Sequence, residues 1–220
     1  MSEKYVFLES ADSTNAEARR LIEQGESGDF VIIADRQTSG RGRLGKTFFS
    51  QEGGLFMTVC FSPSEITFLT SKAALDVCTV LEKYGLEPKI KWVNDVYIDK
   101  RKICGILAER VGDRVIVGVG INCGKSEFPD ELKNKAGSVS LPVSPREIGV
   151  QIAGELLRSS FSIEEYRRRS LLPGLDIVYT VNGETKSGKV TGIDDACGLI
   201  VDTPFGTEIL RSGEVSIVKF

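Results

Sequence analysis

The chain opens with a short apolar run and then switches to a helical period. Residues 4–9 (KYVFLE) read as a strand, and in the following ADSTNAEARRLIEQG Ala18, Leu21 and Ile22 share one helical face. Thr14 and Glu17 stand at capping-box spacing there, and Gly25 is placed to end the helix. Phe30 to Ala34 (FVIIA) is continuously apolar, as a buried strand is. A polar, Gly-rich stretch from Arg36 to Gly54 follows before Leu55 to Phe61 resumes as a strand. A second helix is expected from about Glu65 to Tyr84, because Ile66, Leu69, Ala73, Val77, Val80 and Leu81 keep three-to-four spacing, with Gly85 beyond its end. Three strand-like runs come next: Lys89 to Trp92 continuing into Val96–Ile98, then Ile103–Glu109, then Val115–Asn122. The short polar connections DKRK and VGDR suit hairpins, not crossover helices. The pattern predicts an α+β fold, a mixed and largely antiparallel sheet with helices packed against it.

Ser144-Pro145-Arg146-Glu147 is a capping box with proline in the first turn, opening a helix to about Ser159. Ser162-x-x-Glu165 opens another, ended by Pro173-Gly174. Beyond them the helical period disappears. The runs IVYTV, KVTGI, LIVDT, TEIL and VSIVKF, separated by Asn182-Gly183 and other Gly or Asp turns, predict a small SH3-like β-barrel. The expected boundary lies near Leu172, dividing the chain into 1–172 and 173–220.

Composition narrows the chemistry. Histidine is absent, which removes Ser-His-Asp and Cys-His catalysis and most catalytic zinc sites. The five cysteines (Cys60, Cys78, Cys104, Cys123, Cys197) are odd in number, never form C-x-x-C and sit in apolar segments, so they read as buried thiols in a reducing cytoplasm. A net charge of −3 supplies no general attraction to DNA or RNA. No apolar run reaches the roughly 18–20 residues of a membrane helix, and the N-terminus lacks a signal-peptide layout. The expectation is a cytoplasmic protein without membrane attachment.

Residues 40–47, GRGRLGKT, match two nucleotide-loop patterns at once. Gly40-x-x-x-x-Gly45-Lys46-Thr47 spells a Walker A loop, and Gly40-x-Gly42-x-x-Gly45 a dinucleotide or kinase-type glycine loop. A Walker A or dinucleotide loop needs a helix to start there, since the helix N-terminus and consecutive N–H groups hold the phosphates. The next residues are FFSQEGGLF, where Gly53-Gly54 break a helix within two turns; kinase H-R-D and D-F-G segments are also missing. An irregular loop between strands remains, carrying Arg36, Arg41, Arg43 and Lys46. Its glycines permit close backbone approach and its guanidinium groups can pair with carboxylate or phosphate. A solvated basic surface loop is an equally open reading of these residues alone.

Other constellations are ambiguous singly. Asp12-Ser13-Thr14-Asn15 at a strand-to-helix junction suits helix capping. Lys91-Trp92-Val93-Asn94-Asp95 suits a strand end with an Asx turn. In Lys102-Ile103-Cys104-Gly105-Ile106-Leu107, a glycine inside a strand marks close approach of a ligand or another backbone. The ordered set of STN, Q-x-x-GRGR-x-G, KW-x-ND, K-x-x-GIL and G-x-GIN resembles the biotin protein ligase family over residues 8–123, and the small C-terminal module extends the likeness to the chain end.

That resemblance implies a class II synthetase-like ligase domain that activates biotin with Mg-ATP as biotinyl-5′-AMP. It then transfers biotin to a lysine of a biotin carboxyl carrier protein or carboxylase domain. Carried onto matching positions, it implies that Ser13, Thr14, Asn15 and Gln37 face the ureido end. Gly40, Arg41, Gly42 and Arg43 form a mobile loop over biotin and the intermediate. Lys102 is implied as the central catalytic lysine, with Arg41 and Arg43 aiding it, and Gly105 lets its strand pass near biotin. Phe48, Lys91, Trp92, Asn94, Asp95 and Asn122 are implied at the nucleotide, with magnesium carried by ATP and no metal site of the protein's own. Val93 stands where the family usually has proline, Phe48 where tryptophan is frequent and Gly124 where a second asparagine is common. The chain begins directly at the catalytic part, so the monofunctional type without a DNA-binding domain, and no DNA partner, is expected. An exposed edge strand of the meander is available for a homodimer. The alternatives are a lipoate or octanoate protein ligase of the same fold, and a non-catalytic small-molecule or RNA-binding module.

Overall fold

The computed structural model describes residues 3–62, 67–124, 127–181, 183–211 and 215–220. Its first half is one mixed seven-stranded sheet. In chain order the elements are β1 (Lys4–Leu8), α1 (Thr14–Glu23), β2 (Phe30–Ala34), β3 (Leu55–Phe61), α2 (Leu69–Glu82), β4 (Lys89–Lys91), β5 (Asp95–Ile98), β6 (Arg101–Val111) and β7 (Arg114–Ile121). Their order across the sheet is β1-β2-β3-β7-β6-β5-β4. Only β1 and β2 pair in parallel, with α1 as the connection between them; the rest are antiparallel. The expected hairpins after β5 and β6 are present, turning on the left-handed Asp99, Lys100 and Gly112.

Two expectations are corrected. Lys89 to Ile98 is not one continuing run: β4 and β5 fold back on each other, with Lys91 opposite Asp95 and Trp92, Val93 and Asn94 in the turn. The apolar residues on both sides hide this reversal because each strand is buried on its own account. Thr14 and Glu17 form no capping box. Ser13 is the N-cap without a side-chain cap bond, and the Thr14 N–H donates to Gln37 Oε1 at 2.9 Å while Glu17 pairs with Arg20. A residue distant in sequence thus satisfies an orphan helix-terminal donor. The second helix starts at Leu69; Glu65 and Ile66 lie outside the described residues, as does Asn182 of the expected Asn-Gly turn.

α3 (Pro145–Arg158) has the full Ser144–Glu147 capping box, and α4 (Ile163–Arg169) opens on Ser162, which accepts from the Glu165 N–H. α4 ends at Arg169, before Pro173. One sheet face, with Val31, Ile33, Met57, Val117 and Val119, packs in a core with α2 and α3. The other, with Phe30, Ile32, Cys60 and Ile116, packs on Ala18 of α1. Both faces are covered, which is why FVIIA is apolar throughout. The five cysteines are buried and free; burial pushes the Cys60 and Cys123 thiols up to about 11. No helix among the described residues is long and apolar enough to cross a membrane.

The remaining strands, β8 (Asp176–Val181), β9 (Glu184–Ile193), β10 (Leu199–Thr203), β11 (Gly206–Leu210) and β12 (Val215–Lys219), form a second antiparallel sheet in the order β11-β10-β9-β8-β12. No ladder joins β11 to β12 among the described residues. This sheet shares a continuous buried cluster with the first, and three hydrogen bonds reach the β4–β5 turn. Trp92 Nε1 donates to the Cys197 carbonyl at 2.8 Å, Lys91 Nζ to that of Ile217 at 3.3 Å, and Tyr166 Oη of α4 to that of Val93 at 3.2 Å.

A half-buried cation fastens α2 to α3. Lys72 Nζ lies 2.7 Å from Asp76 and donates to the Leu156 carbonyl and Ser159 Oγ, both at 2.9 Å, closing the C-terminal end of α3 where the helix dipole favours positive charge. Burial raises the Asp76 carboxyl above its ordinary range. Lys72→Met therefore strands a buried carboxylate and is expected to cost about 3 kcal/mol at neutral pH. That cost shrinks on acidification as Asp76 takes up a proton; urea denaturation at several pH values measures both.

Candidate functional site

A cavity of about 220 Å3 opens on the α1 side of the first sheet. The first turn of α1 contributes Ser13, Thr14 and Asn15, and the 36–54 loop contributes Gln37, Arg41, Gly42, Arg43 and Phe48. Lys91, Trp92, Asn94 and Asp95 come from the β4–β5 turn, and Lys102 and Gly105 from β6. Two of the candidate residues lie elsewhere. Gly40 is buried beneath the loop, where a Cβ would stand 2.4 Å from Ser50 Oγ and 2.6 Å from the Phe48 carbonyl oxygen. Asn122 faces away, donating from Nδ2 to the Gly137 carbonyl at 3.0 Å. Arg36 of the same loop does not reach the cavity either.

The glycine-rich loop is a narrow excursion and not a phosphate loop. Arg41 bridges Thr47, a single 3-10 turn spans Arg43–Gly45, and Leu44 and Gly45 both take left-handed backbone angles. No helix begins at Lys46-Thr47; the chain runs on to β3. Arg43 Nη1 donates to Asn94 Oδ1 at 3.1 Å, drawing the loop over the β4–β5 turn, and Asn94 Nδ2 donates to the Ile106 carbonyl at 2.8 Å.

Positive charge gathers at this end. Lys102 Nζ lies 2.7 Å from Asp95 Oδ1, and Lys46 and Lys91 also line the cavity. Burial lowers the Lys91 ammonium to about 8, against the opposing influence of Asp95. Its Nζ stands 4.4 Å above the centre of the Phe220 ring. The opposite end is neutral. Gln37 Oε1 accepts from the Thr14 N–H and hydroxyl, and Gln37 Nε2 donates to Ser50 Oγ at 3.0 Å, so the amide is held in one orientation. Among the described residues no group of three or more His, Cys, Asp or Glu side chains is placed to hold a metal ion.

What the sequence marked as a strand glycine at Gly105 has two partners on β7. A Cβ on Gly105 would meet Phe48 Cε2 at 3.0 Å and Lys102 Cε at 3.3 Å. One on Gly120, directly across the ladder, would stand 2.5 Å from Phe48 Cε1, and one on Gly118 would stand 2.2 Å from Asn15 Oδ1. What approaches Gly105 is thus the Phe48 ring. Gly118 and Gly120 were not singled out from the sequence as site positions, although two glycines two apart in a strand share a face and signal the same clearance. Lys46 and Thr47 of the glycine-rich loop line the cavity as well, and so do Leu44 and Ile217, which carry no sequence signal of their own.

The comparisons agree over the chain's length. Residues 7–126 match the biotin/lipoate A/B protein ligase family and residues 177–218 the biotin protein ligase C-terminal domain. The bifunctional ligase/repressor BirA of Bacillus subtilis is 29% identical, covering 99% of this chain and 75% of that protein. The biotin--[acetyl-CoA-carboxylase] ligase of Paracoccus denitrificans is 27% identical, covering 95% of this chain and 98% of the relative. Among solved structures, the biotin protein ligase from Aquifex aeolicus in complex with biotin and ATP superposes with a TM-score of 0.86 at 28% identity, over 100% of both chains.

The glycine clearance makes one prediction. Gly120→Ala places a methyl 2.5 Å from the edge of the Phe48 ring, so the ring must leave the β7 surface at a cost of about 1–3 kcal/mol. A crystal structure of the variant reads the ring position, and thermal denaturation the cost.

Proposed function

The chain belongs to the biotin/lipoate A/B protein ligase family, and from that membership we propose that it forms biotinyl-5′-AMP from biotin and ATP and passes the biotinyl group to a lysine of a biotin carboxyl carrier protein or domain. One observation carries this reading: Lys102, paired with Asp95, shares a single cavity with the short neutral groups of α1 and the arginines of the 36–54 loop. A ureido ring offers one carbonyl acceptor and two N–H donors, which suits the Ser13, Thr14, Asn15 and Gln37 end. A carboxylate and a triphosphate suit the cationic end.

The chemistry requires no nucleophile from the protein, in keeping with a chain that has no histidine. A biotin carboxylate oxygen attacks the α-phosphorus, the bond to the β-phosphate breaks and pyrophosphate leaves. An acceptor lysine amine then attacks the acyl carbon and AMP leaves. Both substrates of the first step are anionic, so the protein's contribution is positioning and positive charge that is already in place when charge builds at the α-phosphate. Lys102 is assigned to the biotin carboxylate and α-phosphate, with Arg41 and Arg43 on the same oxygens. Phe48, Lys91, Trp92, Asn94 and Asp95 are assigned to the nucleotide. Magnesium entering with the triphosphate would add cationic charge there, with Asn94 and Asp95 as the neighbouring oxygen donors. Gly40 to Arg43 act as a lid that keeps the anhydride from water until the acceptor arrives.

We divide the chain near Leu172, with residues 173–220 bracing the β4–β5 turn. Two copies of the chain would pair along the end of β6 that extends past its ladder with β5.

Pyrophosphate release from Mg-ATP with biotin, lipoate, octanoate or no acid tests the substrate. Biotin alone is expected to support release, and release with lipoate or octanoate instead transfers the assignment to the sister activity. Lys102→Ala is expected to lower adenylate formation about a thousandfold with the melting temperature unchanged; normal adenylate production removes Lys102 from its role. Lys91 supplies a pH test. Being charged at pH 7 and losing its proton as pH rises through about 8, it predicts that kcat/KM for ATP falls on the alkaline side, by up to about tenfold per pH unit. In Lys91→Arg that fall is expected to disappear. A wild-type profile flat to about pH 9.5 separates Lys91 from the phosphates.

A further inference from the structure

Asn15 has almost no hydrogen-bonding capacity left for a ligand, and what remains has one sign. Its Nδ2 donates to Glu109 Oε2 at 2.8 Å and to the Leu107 carbonyl at 3.3 Å, while its Oδ1 accepts from the buried Thr58 hydroxyl at 2.7 Å. Both amide protons are consumed and one lone pair on Oδ1 is free. A primary amide has nearly the same shape after a half-turn, so only its partners decide which atom points where. Glu109 and the Leu107 carbonyl are acceptors only. A flipped Asn15 would set its oxygen against both, losing two hydrogen bonds and gaining repulsion.

The shorter and charge-assisted of these two bonds is to Glu109, which does not line the cavity. Its other oxygen accepts from Arg19 Nη2 at 2.6 Å, and Arg19 stands one helical turn beyond Asn15 on α1. We infer that Glu109, held by Arg19, is a positioning residue that fixes Asn15 as an acceptor and so selects a cyclic urea N–H at the neutral end of the cavity. The inference rests on the biotin reading and deepens it. Gln37 is set the opposite way, its oxygen taken by Thr14 and one Nε2 proton remaining after Ser50. The neutral end therefore presents an acceptor at Asn15 and a donor at Gln37, the complement of a urea N–H beside a urea carbonyl. A dithiolane or alkyl end leaves both unpaired, which is costly in a buried site and excludes lipoate and octanoate.

The experiment compares biotin with its two N-methyl ureido analogues by calorimetry, in the wild-type protein, Glu109→Ala and Glu109→Gln, with KM for ATP measured alongside. In the wild type, methylation of the N–H that faces Asn15 is expected to weaken binding about tenfold or more. In Glu109→Ala biotin Kd rises about tenfold, the methylation penalty falls to within about twofold, and KM for ATP is unchanged. Glu109→Gln, which keeps an acceptor oxygen, recovers part of the loss. A wild-type biotin Kd in Glu109→Ala overturns the inference. So does a loss of biotin and ATP affinity together with the methylation penalty intact, since a merely structural glutamate would do that. If Glu109→Ala does not fold, Arg19→Ala carries the same comparison. A wild-type protein that binds no biotin at all refutes the ligase reading itself, a result distinct from either.

Discussion

Strands project a side chain to each face at every second residue, and a sheet face covered by a helix is normally filled by them. A site on such a face exists only where the strands withhold side chains. Gly105 on β6 and Gly118 and Gly120 on β7 do this side by side, each at a position where a Cβ would fall 2.2–3.0 Å from a neighbouring atom. The vacated strip takes Asn15 from α1 and Phe48 from the loop, and those two seat the rest. Asn15 ties the first turn of α1 to β3 and β6. Phe48 lies over the paired Gly105 and Gly120 with its N–H bonded to the Gly40 carbonyl, so the glycine loop is anchored at its end while Arg41 to Lys46 reach over the cavity and Arg43 meets Asn94.

The second anchored part is the β4–β5 turn, which carries Lys91, Asn94 and Asp95 into the same cavity. Three residues between short strands would be mobile alone. Here Trp92 is bonded to the Cys197 carbonyl, Lys91 to that of Ile217 and Val93 to Tyr166, so the C-terminal sheet and α4 set the turn's position. Ile217 itself lines the cavity. The small sheet thereby bears on the active end and is more than an appendage, which accounts for the buried cluster that runs through both sheets without interruption.

Charge is divided as sharply as shape. The neutral end uses hydroxyls and amides whose orientations are fixed by Gln37, Ser50, Thr58 and Glu109. The cationic end gathers Arg41, Arg43, Lys46, Lys91 and Lys102 around one carboxylate, Asp95. Burial is the main cause of the lowered proton affinity of Lys91, and the neighbouring Lys102 and Lys46 add to it while Asp95 opposes it. The arrangement is relieved by an anionic ligand, which is the sense in which it is built for acyl-phosphate chemistry without a protein nucleophile.

Periodicity and turn chemistry determined much of this from the sequence alone. The strands FVIIA and LFMTVCF, the hairpins after Ile98 and Val111, the Ser144 capping box and the five C-terminal strands are local features, written in residues near one another. The absence of a helix after Gly45-Lys46-Thr47 was equally local, and excluded a phosphate loop. The ordered motifs named the family and most of the residues around the cavity. Tertiary structure alone decided what depends on distant partners. The β4–β5 reversal needed the C-terminal sheet to hold it, and the N-terminus of α1 was closed by Gln37 in place of its own Glu17. The glycines of β6 and β7 acquired meaning only when the register set Gly105 opposite Gly120. The polarity of Asn15 was invisible in its own segment, because an amide carries both signs and only Glu109, 94 residues away, chooses between them.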